Sequence, residues 1–170
     1  MKKLFFFAFT MVMAIAFTSC GNKGGEAANG ENAEAAEVIK DGNKFEGKNF
    51  SLVYPKEWKE SIASEETINA SADGDVSFDA TYNDMGPAVA ELATYATNWK
   101  GMKQNAQVEE PVINEKVLTI KAVEGDKEEI HFVVMKEDKI GIAGSLKFPA
   151  AKEADFKPLL ESIIKSVEFK

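Results

Sequence analysis

His131 is the only imidazole in the chain. A nucleophile–base pair would need it, with a serine or threonine brought near by the fold. No nucleophile-elbow motif accompanies it, and it sits between Ile130 and Phe132 on the opposite strand face from both. If helices cover both faces of the sheet, His131 is a partly buried, hydrogen-bonded side chain; no catalytic residue is assigned. Asp73-Gly74-Asp75-Val76-Ser77-Phe78-Asp79, trailed by Asp84, comes nearest to a metal loop. A calcium loop wants glycine sixth and glutamate twelfth, and counting from Asp73 those places hold Phe78 and Asp84. The segment reads better as a hairpin tip with solvated carboxylates. One histidine and one cysteine cannot supply a zinc site, so no metal and no cofactor is expected.

Other residues could do chemistry only in company. Glu65-Glu66, Glu109-Glu110 and Glu128-Glu129 are adjacent pairs, and neighbours in a strand or helix point apart, so none is an acid–base pair by itself. Carboxylates assembled from distant segments remain open. Tyr54, Trp58 and Tyr95 are the candidate ligand-binding residues, aromatics able to line a groove for a peptide, a glycan or an apolar ligand. Gly141-x-x-Gly144 lies within a strand pattern and is no phosphate cradle.

All 20 basic residues are lysine, set against 28 acidic ones. That balance speaks against nucleic acid as a partner, because phosphates need a basic surface. The absence of arginine also removes forked clamps on carboxylate or phosphate ligands.

These residues must be positioned by elements. Phe50, Leu52 and Tyr54 alternate and stop at Pro55, which predicts a strand. Further strands are expected from Trp58 to Ile62, over Thr67 to Ser71, and over Val76 to Tyr82. Pro87 suits a first helical position, and Val89, Leu92, Ala96, Trp99 and Met102 follow as a buried stripe, with Tyr95 one step off it. Lys116 to Val123, Glu128 to Met135 and Lys139 to Leu146 read as an antiparallel meander joined by short turns. Phe156, Leu159, Leu160, Ile163, Ile164 and Val167 mark a final helix, with Pro158 expected in its first turn. Runs of strands with one helix inserted and one appended argue α+β.

The start of the chain reads as an address. Lys2 and Lys3 precede an apolar run from Leu4 to Phe17 that is shorter than the roughly 20 residues a spanning helix needs. Phe17-Thr18-Ser19-Cys20 then resembles the lipobox of bacterial lipoproteins, in its Bacteroidetes-type form. The resemblance implies cleavage between Ser19 and Cys20, and a diacylglyceryl group on Cys20, which becomes the acylated N-terminus with chains such as palmitate. The other reading is an ordinary secretory peptide that leaves Cys20 a free thiol. Residues 1–19 are thus a signal peptide, 20–43 the acylated cysteine and a flexible acidic tether, and 44–170 the folded domain. Every aromatic beyond Cys20 lies at Phe45 or later, which sets the last boundary.

Phe50-Ser51-Leu52-Val53-Tyr54-Pro55-Lys56-Glu57-Trp58 resembles the opening of PsbP-like and Mog1-like domains. The closing segment Leu159 to Phe169 is similar to their last helix and short strand. That resemblance implies a three-layer α/β/α sandwich around a mainly antiparallel sheet. It implies no chemistry, since a fold by itself assigns none. The expectation is a non-enzymatic binding or accessory lipoprotein of the bacterial envelope, anchored by its lipid at the outer membrane and facing the periplasm. Its partners would be the membrane and an unknown envelope protein or small ligand. The alternative is an envelope hydrolase using carboxylates brought together by the fold.

Overall fold

The computed structural model describes residues 39, 41–72, 74–84 and 91–170. The leader with Ser19 and Cys20, the tether through residue 38, Asp73, and the helix start expected at Pro87 lie outside them. Two antiparallel sheets and two helices make up the described chain. β1 (Asn43–Glu46), β2 (Phe50–Tyr54) and β11 (Glu168–Phe169) form the smaller sheet, with β2 central. The larger sheet takes β3 (Lys59–Ala63), β4 (Thr67–Ser71), β5 (Ser77–Asp84), β10 (Ile140–Pro149), β9 (Lys127–Met135), β8 (Val117–Glu124) and β6 (Gln107–Val108) in that spatial order. β7 (Val112–Asn114) also pairs with β8.

Period-two side chains split the larger sheet into two faces. Phe78, Ile130, Phe132, Ile142, Leu146 and Phe148 face helix α2 (Glu153–Lys165) and the smaller sheet, where Phe50, Leu52 and Leu160 complete one core. Leu118, Ile120, Val133 and Met135 face helix α1 (Leu92–Met102) and close on Ala96 and Trp99. The layers are therefore α1, then the larger sheet, then α2 with the smaller sheet. Ser166 fastens the last layer, its Oγ accepting from the Val53 amide at 2.8 Å. Gly144 is needed in the middle: a Cβ there would come within 2.0 Å of the Asp79 carbonyl oxygen and 2.8 Å of the Phe132 ring. Among the described residues no helix is long and apolar enough to cross a membrane.

Three details depart from expectation. Pro158 lies inside α2 rather than in its first turn, because a 3-10 turn at Ala150–Lys152 runs directly into Glu153 and good helix formers extend the element upstream. Met102 is 72% exposed, while Tyr95 turns inward against the second core. Leu92, Ala96, Trp99 and Lys103 recur near 3.6 residues, and Tyr95 and Met102, seven residues apart, lie on one flank of that line; Met102 is the last residue of the helix. β6 and β7 had no signal of their own, being short and separated by Pro111.

Candidate functional site

The densest polar constellation lies beneath α1. In the β10–β9 register Ser145 is opposite His131, and Asp79 of β5 is opposite Ser145 on its other side. Glu129 shares the His131 face, two residues back along β9. The helix supplies Tyr95, Trp99 and, just past its end, Lys103. Trp99 and Tyr95 lie nearly parallel to the imidazole, with ring centroids 5.2 and 5.5 Å away.

The hydrogen bonds form a chain with one direction. Glu129 can only accept, so the Ser145 hydroxyl donates to its Oε1 at 3.0 Å, and Lys103 donates to its Oε2. Ser145 Oγ then accepts from His131 Nδ1–H at 3.0 Å, which leaves Nε2 to accept from the Tyr95 hydroxyl at 2.8 Å. This tautomer is assigned from the network. Burial pushes the His131 imidazole down to about 4, with the Glu129 carboxylate opposing it. Burial works against the Glu129 carboxylate, yet Lys103, Lys147 and Ser145 hold it below the usual range. Asp79 and Tyr95 are both raised by burial. Lys103 also lies 5.0 Å from the Trp99 ring, a cation–π contact.

The chemistry open to this arrangement is limited by that direction. A nucleophile–base pair needs the serine proton aimed at the imidazole lone pair. Here the proton points to Glu129, the lone pair is occupied by Tyr95, and Ser145 is only 6% exposed. The network holds α1 on the sheet.

A second cluster lies on the opposite face. Adjacent Glu128 and Glu129 are sent to different sides, Glu129 under α1 and Glu128 toward α2. Lys121 Nζ lies 2.7 Å from Glu109, 2.9 Å from Glu153 and 3.4 Å from the Oε1 of buried Glu128, which has no hydrogen bond. Burial raises the Glu128 carboxyl, and the three carboxylates raise the Lys121 ammonium. Among the described residues no group of three or more His, Cys, Asp or Glu is arranged to hold a metal ion.

The three aromatic candidates are not brought together. Tyr54 is 2% exposed, donates to Glu60, and is pushed up to about 12 by burial and that contact. Trp58 is 4% exposed and packs on Phe78 at 5.8 Å. Both fill the α2-side core, and only Tyr95 joins a polar cluster. Sequence reasoning reached His131 and Tyr95, named Glu129 only as half of an adjacent pair, and missed Ser145 and Lys103. Alternation along the meander puts Glu129 and His131 on one face, yet the partnership with Ser145 depends on the β9–β10 register.

No family model and no curated protein matches the chain. Solved structures do. The cyanobacterial PsbP (CyanoP) of Synechocystis superposes with a TM-score of 0.56 at 11% identity, covering 85% of this chain and 98% of that one. The Ran-binding protein Mog1p of Saccharomyces cerevisiae gives 0.51 at 9% identity, over 75% of this chain and 96% of its own. A Mog1 E65A mutant gives 0.54 at 9% identity over 75% and 95%. The fold is PsbP-like and Mog1-like. Within it, the motif Phe50 to Trp58 is β2 and the turn after it, and Phe50, Leu52, Tyr54 and Trp58 all point into the core. At these identities the likeness carries the fold alone.

Proposed function

We propose that this protein is a non-enzymatic binding or accessory module, tethered by a lipid on Cys20 to the outer membrane of a bacterial envelope and facing the periplasm. The observation that carries the non-enzymatic part is the closed His131 network, in which Tyr95, Ser145, Glu129 and Lys103 satisfy one another and leave no free base beside an exposed nucleophile. A Ran-binding protein shares the fold, which supports a protein partner for it. The tether rests on Phe17-Thr18-Ser19-Cys20; several acyl chains on one residue give stable anchoring.

Two measurements on the full chain expressed in a bacterial envelope test the reading. Intact mass is expected to show loss of residues 1–19 and a lipid on Cys20; an unmodified Cys20 removes the anchor. Crosslinking in the intact envelope is expected to recover one partner reproducibly. Recovery of nothing above background would overturn the binding role.

A further inference from the structure

We propose that the outer edge of β7 is the docking strand for an extended, lysine-bearing segment of a partner protein, which adds to the larger sheet as one more antiparallel or parallel strand. The inference rests on the binding-module reading and names the surface and the chemistry of the partner.

β6 and β7 run end to end along β8, and among the described residues β7 pairs only with β8. Its far edge therefore presents backbone donors and acceptors to solvent. The opposite edge of the same sheet is guarded: β3 carries Lys59 and Glu60, and its register shifts at a bulge between Glu60 and Ile62. β7, three residues long and preceded by Pro111, has no charged side chain and no bulge, and it exposes Val112 at 57% and Ile113 at 40%. On β3 the exposed apolar side chain, Ile62 at 51%, sits at the bulge.

Those two residues point to opposite faces of the sheet, and each borders a hollow. Ile113 lies opposite buried Leu118 and borders a space of about 320 Å³ on the α1 side, floored by Leu92 and Met135. Four carboxylates, Glu91, Glu115, Glu137 and Asp138, rim it against one lysine, Lys116. Val112 lies opposite Thr119 and borders a space of about 90 Å³ on the α2 side, with Glu109, Glu110 and Glu153 at its rim. The lysines there are Lys121 and Lys157, and Lys121 is already held by Glu109, Glu128 and Glu153. An added strand places successive side chains on alternate faces, so it would reach both hollows, with main-chain bonds giving affinity and the hollows giving selectivity.

Charge selects the occupant. At the α1-side rim four carboxylates face one lysine, so lysine side chains with apolar stems fit it. At the α2-side rim Glu109 and Glu153 are held by Lys121 and Glu110 by Lys100, so an apolar side chain beside Val112 fits there. The chain's own tether does not: residues 21–38 carry Glu26, Glu31, Glu34 and Glu37 against Lys23. A second copy would bring the same acidic rim into contact.

The test titrates the isotope-labelled full chain with a short capped peptide of alternating lysine and valine, following backbone amide shifts. The expected result is saturable shifts concentrated on residues 107–119. Ile113→Lys and Glu115→Lys, both at exposed positions, are each expected to weaken binding roughly tenfold, about 1.4 kcal/mol. Val112→Lys tests the second hollow in the same way. The same peptide N-methylated along one edge cannot form the ladder and is expected to bind at least about tenfold more weakly. Equal binding of the N-methylated peptide, equal binding of a lysine–serine peptide, or shifts spread evenly over the acidic surface would overturn the proposal. So would absence of binding. If a partner crosslinks at some other surface while the peptide fails, the binding role stands and this assignment falls alone.

Discussion

On the α2 side of the larger sheet, Phe78 and Phe132 stack with centroids 6.0 Å apart and are shut from solvent. One residue along the same strands, on the α1 side, stand Asp79 and His131. The first face is held by apolar area and shape, which many substitutions satisfy in part. The second is held by a directional chain in which each donor has one acceptor, so loss of any member strands its neighbours. One pair of strands thus joins a tolerant core to an exacting one, and α1 rests on the exacting side.

The largest expected effect is on the apolar face. Phe132→Ala removes a fully buried ring beside Gly144 and is expected to cost roughly 3–5 kcal/mol in denaturant unfolding. A loss below about 1 kcal/mol would show that this face is loosely packed and would dissolve the contrast.

The polar face should reveal itself through pH. The His131 imidazole titrates near 6.5 when unfolded and at about 4 when folded, because burial disfavours its charged form. Between those values the unfolded state binds the extra proton, so stability is full above 6.5, falls as pH is lowered through the window and levels off below 4. By linkage the window is worth about 3 kcal/mol. Asp79, raised by burial, works in the opposite sense, so the comparison is with His131→Gln. Melting curves of that variant are expected to lose the decline over this window; an unchanged decline would mean that His131 is not its source.

A smaller loss is expected from Ser145→Ala. It leaves the His131 Nδ1–H and Glu129 Oε1 without their shared partner at a buried site, at a cost of about 1–3 kcal/mol. The smallest effect belongs to Met102→Gln. That side chain stands in solvent, and its replacement should stay within about 0.5 kcal/mol by thermal unfolding. A larger cost would restore Met102 to the buried stripe and show that the last turn of α1 is covered.

Much of this architecture was legible before any coordinates. Phe50, Leu52 and Tyr54 alternate to Pro55 and form β2 over the expected residues. The three-stranded meander appears as β8, β9 and β10 with ends moved by at most three residues, since hydrophobic alternation locates a strand better than its last hydrogen bond. How far along α1 the burial runs was less legible, because Tyr95 and Met102, seven residues apart, share a flank, yet Tyr95 packs on the second core while Met102, at the helix's last residue, is exposed. The sheet below, carrying His131 and Ser145, resolves it by giving a hydroxyl at Tyr95 a partner. β6 and β7 were invisible, as two- and three-residue strands hold too little pattern to exceed the noise of a loop.

The sequence by itself determined the α+β class, the aromatic core and the acidic, arginine-free composition, because period, composition and turn chemistry are local properties of the chain. Only the tertiary structure decided that Glu128 and Glu129 serve different clusters on opposite faces, that Ser145 mediates between Glu129 and His131, and that Val112 and Ile113 stand at an open edge between two hollows. Each of these depends on register and on which element covers which face. Those are settled by contacts between residues far apart in the chain, whose mutual fit no local pattern records.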